Sequence, residues 1–365
     1  MKIRKICGVI VALAIGVSGV PIAQAASSLP SLPQQAPTLP PLPQMPPLPQ
    51  LPQMPPLPQL PQMPPLPPLP QMPPLPPLPQ MPPLPAAPKN LQPKPQVNQN
   101  VRETYLSFGD SVAANPTALD VAVYKTKKNV PNLEWPTIRN GSCAQDPNNF
   151  AVQAAKRTGL RLEDYSCPGA TAYVEPHGND AIPHDTVRQQ VERAIADRKL
   201  DANTRLVTIS AGVNDTYQPN NLPSMTTQPQ RMARYDAAMT GAINRVKSVA
   251  PNAKVILLGI PDETDGHNHT CGSNLLGVTS HWYFPLVAYY QDEVREQQRL
   301  AALHTGSEFL DMVAEISVQS GKNGCSNDPG RYGASIFDDS PHKLAGHLTD
   351  AGHGYYGRRI AETYR

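Results

Sequence analysis

From residue 102 onward the chain alternates two hydrophobic patterns. Short apolar runs, bounded by turn residues, read as strands: "TYLSF", "RLVTISAG", "AKVILLGIP" and "SEFLDM". Between them lie longer amphipathic stretches that read as helices. "NNFAVQAAKRTG" ends on Gly159, "DTVRQQVERAIADRKL" follows, and "LVAYYQDEVREQQRLAALHTG" stops at Gly306. Another helix shows one buried face, because Met232, Tyr235, Met239, Ile243 and Val246 recur by three and four. A last helix is expected over "TDAGHGYYGRRIAETY". Apolar strands alternating with helices predict an α/β fold, a three-layer α/β/α sandwich around a mostly parallel central sheet. One domain over 101–365 is long enough for a substantial core. In such folds chemistry gathers beyond the carboxyl ends of the strands.

The first hundred residues obey different rules. Of the 46 prolines, 30 lie between Pro30 and Pro95, and from Gln44 a nine-residue unit, "QMPPLPQLP", recurs. This composition packs no core and predicts a polyproline II stalk over 26–100. At three residues per turn, the Leu or Met at every third position from Leu39 to Leu84 would form one apolar stripe. Such a rod would span roughly 140 Å at about 3.1 Å per residue. It reads as a spacer, or as a surface that meets a protein groove or a cell-envelope layer. Ahead of it, Lys2, Arg4 and Lys5 precede an apolar run and the small-residue stretch Ala23 to Ala25, a secretory leader over 1–25. The expectation is a secreted protein, with cell-wall association as a further option.

Charge and cysteine content narrow the classes. Without the leader the chain carries 28 basic and 29 acidic residues, which offers no electrostatic handle on nucleic acid. Four cysteines remain, Cys143, Cys167, Cys271 and Cys325. An even count in an exported chain predicts two disulfides, and the sequential pairing is preferred because each bridge then staples one loop region. A four-thiolate zinc site lacks any CxxC pair to support it.

The break after the first strand, "FGDS", puts Ser111 where a strand hands over to a helix. A serine there is either a cap or a nucleophile beside free helix-start N–H groups. Three later segments sit at strand ends: "SCPGATA" with Gly169, "SAGVNDT" with Gly212 and Asn214, and "GHLTDAGHGYYG" with His347. These four ordered blocks resemble the SGNH, or GDSL-type, hydrolase family, secreted actinobacterial esterases and lipases in particular, over about Tyr105 to Tyr364. No G-x-S-x-G elbow is present. The resemblance implies a flavodoxin-like sandwich and a serine esterase or lipase acting on a lipid or small acyl ester without cofactor or metal. It implies Ser111 as nucleophile, and an oxyanion hole from the Ser111 and Gly169 N–H groups and the Asn214 amide. An acyltransferase using the same acyl-enzyme, or a non-catalytic envelope-binding module, are the alternatives.

Three histidines compete for the role of base. His342 and His353 follow Asp339 and Asp350 at the D-x-x-H spacing, whereas His347 has Leu344 there. His347 is preferred, because Thr349 caps the last helix and the family's histidine sits two residues before such a cap. His353 would lie inside that helix as a surface or packing residue, and His342 with Asp339 is the rival pair. With His347 as base, the resemblance implies that a backbone carbonyl, that of Leu344, holds the imidazole; Asp338 or Asp339 is the other source. The loop "PDETDGHNHTCG" gathers Asp262, Glu263, Asp265, His267, His269 and Cys271, but its spacing matches no zinc pattern. It reads as a solvated loop near the site rim.

Overall fold

Consecutive residues of a strand face opposite ways, and here both sets are buried. In the computed structural model, which describes residues 102–127, 138–139, 143–176, 185–218, 221–222 and 225–365, the strands are β1 (Thr104–Gly109), β2 (Arg161–Asp164), β3 (Thr204–Ser210), β4 (Lys254–Leu258), β5 (His269–Leu275), β6 (Val278–Tyr283) and β7 (Glu308–Leu310). The helices that pack on the sheet are α1 (Phe150–Thr158), α2 (Val187–Ala196), α3 (Gln228–Val249), α4 (Pro285–Thr305) and α5 (Asp350–Tyr364). The leader and the proline repeats lie outside the described residues.

Leu106 and Phe108 of β1, Val207 and Ile209 of β3, and Val255 and Leu257 of β4 pack on one face, against α2, α3 and α4. Tyr105, Leu206, Ile256 and Leu258 pack on the other, against α1 and α5. That is the three-layer sandwich the sequence predicts. Each fully buried Leu, Ile or Phe contributes about 1.5–3 kcal/mol. Truncating Met239, fully buried on α3, to alanine would cost about 2–5 kcal/mol.

The five-stranded sheet runs β2-β1-β3-β4-β7, every pair parallel. The chain steps from β1 to one neighbour and returns to pair β3 on β1's other side. Strand order therefore reverses beside β1, and the carboxyl ends at such a reversal are where folds of this kind place their chemistry. Helix ends are fixed by local chemistry. Asn149 caps α1 through a bond from Val152 N–H (3.0 Å), and Gly159 ends it in the left-handed region at φ 75°. Thr186 with Gln189 and Thr227 with Gln230 form capping boxes on α2 and α3.

Cys143 bonds to Cys167 and Cys271 to Cys325. The loop-entropy argument gives each about 3–4 kcal/mol. The first bridge anchors the loop after β2. The second pins β5, which belongs to a hairpin that sequence patterning misses.

Where a solvated loop was expected around residue 269, β5 pairs antiparallel with β6, and Phe337–Asp338 adds beside β5. The hairpin turn puts Leu276 at φ 53° and Gly277 at φ 77°. Two-residue hairpin turns with positive φ are normally signalled by Asn-Gly or Asp-Gly, so a leucine there conceals the turn. The charged edge strand β2, "RLED", gives no apolar run and is equally hidden.

Candidate active site

Two of the residues singled out from the sequence, Ser111 and His347, meet beyond the carboxyl end of β1. β1 ends at Gly109, with φ 145°, where a Cβ would stand 2.1 Å from the Ser210 carbonyl oxygen. Only glycine lets β1 press this close to β3 as it turns. Asp110 then caps the short helix Ser111–Ala114, accepting from Val112 N–H at 2.9 Å. Burial drives the Asp110 carboxyl up to about 7, and Asp215 nearby adds to the shift. Ser111 itself is partly exposed at the start of that turn.

His347 arrives from the loop before α5. Its Nε2 lies 2.9 Å from Ser111 Oγ, and its Nδ1 lies 2.9 Å from the Ala345 carbonyl. A carbonyl can only accept, so Nδ1 carries the proton and Nε2 is left to accept from the serine hydroxyl. The expected Leu344 carbonyl is thus replaced by that of Ala345. Gly346, at φ 65°, folds the chain so that the carbonyl two residues back meets the ring. Burial lowers the His347 pKa from its ordinary value, opposed by the Ala345 bond; His342 lowers it further.

Neither nearby acid bonds to this imidazole. Asp339 accepts from Leu276 N–H of the hairpin turn (2.6 Å) and from Arg331 (3.2 Å). Asp338 pairs with Arg331 and accepts from Ser335 and Ser340 N–H groups. His342 turns its Nδ1 to the Ser340 carbonyl, 2.7 Å away, so the Asp339–His342 pair does not form. His353 is buried in α5, stacked on Phe150 and accepting from Phe150 N–H (3.2 Å). Burial pushes its pKa down to about 3, so it stays neutral. It is a packing residue.

Gly169 and Asn214 lie on the segments that follow β2 and β3, the two strands on either side of β1. Gly169 stands at φ 83° in the loop after β2, and that loop is bonded to the serine's strand, Cys167 N–H to Gly109 O at 2.9 Å. Among the described residues the Ser111 and Gly169 N–H groups donate to no protein acceptor. Asn214 follows β3 in the short helix Val213–Thr216. Its Nδ2 donates to the Ala170 carbonyl at 2.8 Å, and its Oδ1 accepts from Tyr217 OH. That orients the amide and leaves its second N–H free for a ligand.

Asp215, beside Asn214, was given no role from the sequence. It is buried, and its carboxylate accepts from the N–H groups of Ala172 (2.7 Å), Tyr173 (3.1 Å) and Val174 (2.9 Å). It therefore ties the Gly169 loop to the end of β3. An acid directly after an oxyanion candidate was the available signal.

The acid- and histidine-rich loop is occupied internally. Asp262 accepts from Thr264 and Gln291, and Asp265 pairs with His281 (2.8 Å). The one metal-like grouping among the described residues contains Cys143 and Cys167, which are bonded to each other.

The GDSL-like Lipase/Acylhydrolase family model matches residues 107–355. No curated protein sequence matches the chain. Among solved structures, phospholipase A1 from Streptomyces albidoflavus NA297 is 15% identical, covering 73% of this chain and 100% of its own, with a TM-score of 0.44. The extracellular lipase from Streptomyces rimosus is 18% identical, covering 72% and 100%, at 0.44. Est24, a carbohydrate acetylesterase from Sinorhizobium meliloti, is 16% identical, covering 72% and 98%, at 0.41.

Proposed function

This chain belongs to the GDSL-like lipase/acylhydrolase family and is a carboxylic ester hydrolase; from that premise we propose that it works through an acyl-serine on Ser111, with His347 as base. The observation that carries the reading is the 2.9 Å contact between Ser111 Oγ and His347 Nε2, with Nδ1 held by Ala345.

In acylation the Ser111 hydroxyl gives its proton to His347 Nε2 as Oγ attacks the ester carbonyl carbon. Negative charge moves onto the carbonyl oxygen, and the N–H groups of Ser111 and Gly169 and the Asn214 amide receive it. Losing one such donor typically costs about 2.7–4 kcal/mol of transition-state stabilisation. His347 then passes its proton to the leaving alkoxide, which departs as the alcohol. In the second half a water gives a proton to His347 and attacks the acyl carbon, releasing the acid and restoring Ser111. The Ala345 carbonyl steadies the imidazolium during both halves, a task a carboxylate performs in triads.

The reading extends to export. Two disulfides suit an oxidising compartment, and residues 1–25 have leader character. The enzyme then acts outside the cytoplasm, with residues 26–100 as a spacer ahead of the catalytic domain.

A chain-length series of aryl esters tests the catalytic proposal on wild type and on Ser111→Ala. Wild type turns over at least one member, and the variant loses at least about 10³-fold in kcat. Equal turnover by the two proteins would reject the proposal.

A further inference from the structure

The turn that presents Ser111 has a partner that none of the sequence blocks contains. Gln190, on α2, has a fully buried side chain. A glutamine is rarely buried without partners for both ends of its amide. Here Oε1 accepts from Gly109 N–H at 2.8 Å, and Nε2 donates to the Gly109 carbonyl at 2.9 Å.

Both bonds go to one residue, the last of β1, on the edge where β1 has lost its strand partner. Pairing with β2 ends at Ser107 and Asp164, whereas pairing with β3 continues to Gly109 and Ser210. The side-chain amide therefore takes the Gly109 N–H that β2 no longer reaches and shares the Gly109 carbonyl with Cys167 N–H. Gly109 needs that support. Its φ of 145° suits glycine alone, and the same freedom makes it a soft joint. Ser111 lies two residues on, so a tilt of either peptide flanking Gly109 swings both its Oγ and its N–H. The Gly109 carbonyl also accepts from Cys167 N–H, so the clamp shares an atom with the loop that carries Gly169.

We infer that Gln190 is a positioning residue for acylation: by holding the N–H and C=O of Gly109, it sets the direction in which Ser111 meets the ester. This rests on the acyl-serine reading. Misplacing a reacting group by about 1 Å can cost around 10²-fold in rate.

Two variants of the full chain test it, with active sites counted by fluorophosphonate titration. Gln190→Met keeps the volume and removes both bonds. Gln190→Glu keeps the acceptor and, when its carboxyl is protonated, restores the donor as well. The Met variant is expected to lose about 10²-fold in kcat per site with KM within twofold of wild type. The Glu variant's kcat, divided by that of wild type at the same pH, is expected to rise between pH 8 and pH 5. The division removes the titrations that wild type itself shows, of His347 and of Asp110 beside Gly109, and counting sites by titration removes any unfolded fraction, the only change a purely structural role would bring. A Met variant within twofold of wild type per site, or a Glu ratio that does not rise, overturns the inference. If the Met variant does not fold, the Glu ratio decides alone. Ester turnover by wild type without labelling at Ser111 would reject the acyl-serine reading itself. Labelled wild type beside unaffected variants rejects only the clamp.

Discussion

His347 Nε2 stands 2.9 Å from Ser111 Oγ across 236 residues of sequence, at the carboxyl edge of the sheet. The contact is made by a loop whose own backbone bonds hold it: Gly346 N–H donates to Ser335 O, and His347 O accepts from Ala334 N–H. His342, five residues earlier, bonds instead to Ser340 O. Replacing His347 with alanine should therefore lower kcat by about 10²–10⁴-fold, while His342→Ala should stay within about threefold of wild type. Steady-state rates on one aryl ester distinguish them; loss confined to His342→Ala would reassign the base.

Burial lowers the pKa of His347, and His342 nearby lowers it further. Only the neutral ring can take the serine proton, so activity falls as pH drops through that pKa. The acid limb of kcat/KM is expected to have its midpoint below 6.5, the ordinary histidine value. A midpoint at or above 7 would contradict this environment.

Asn214→Ala should lower kcat by about 10²–10³-fold, as removal of one oxyanion donor does, with a stability loss of about 1–2 kcal/mol, because the Ala170 carbonyl and the Tyr217 hydroxyl lose their partner. Asp215→Ala acts differently. It strands three loop N–H groups, so a loss of about 3 kcal/mol or more in stability should accompany any loss in rate. Urea denaturation beside kinetics checks the contrast. A stable, slow Asp215 variant would move that residue into the chemistry.

Asp110 couples the nucleophile's turn to pH. Its folded pKa of about 7 lies above the ordinary carboxylate value, because burial resists the charge. The folded state then holds a proton that the unfolded chain releases. This contribution to stability is full at pH values below the ordinary carboxylate pKa and is lost as pH rises through 7. Asp110→Asn keeps a capping oxygen without the charge. Its Tm relative to wild type should climb from pH 5 to pH 8, and a pH-independent difference would count against the buried-acid assignment.

Much of the architecture was legible because strand and helix periods here are unmixed. β1, β3 and β4 are rich in apolar residues and buried along nearly their whole length, and the buried positions of α3 repeat mostly by three and four. The blocks around Ser111 and Asn214 stand at strand ends in the sequence, but their roles came from the resemblance to the family. What stayed hidden depends on backbone turns at residues that do not signal them and on contacts distant in sequence. The hairpin turns at Leu276, an unlikely residue for a left-handed position, and is held by Asp339. The carbonyl behind His347 depends on the left-handed turn at Gly346, which shifts the partner from Leu344 to Ala345. Gln190 left a faint trace. Val187, Val191 and Ala194 mark the buried face of α2, and Gln190 sits among them at the i+3 position, a polar residue in an apolar stripe.

The most direct test of the central claim is covalent. Folded, oxidised protein is treated with a fluorophosphonate and mapped by peptide mass spectrometry. A single adduct on Ser111, lost when Asn214 or His347 is replaced by alanine, is the result expected. Unmodified Ser111 in protein that still hydrolyses esters, or an adduct on another hydroxyl, would contradict the account.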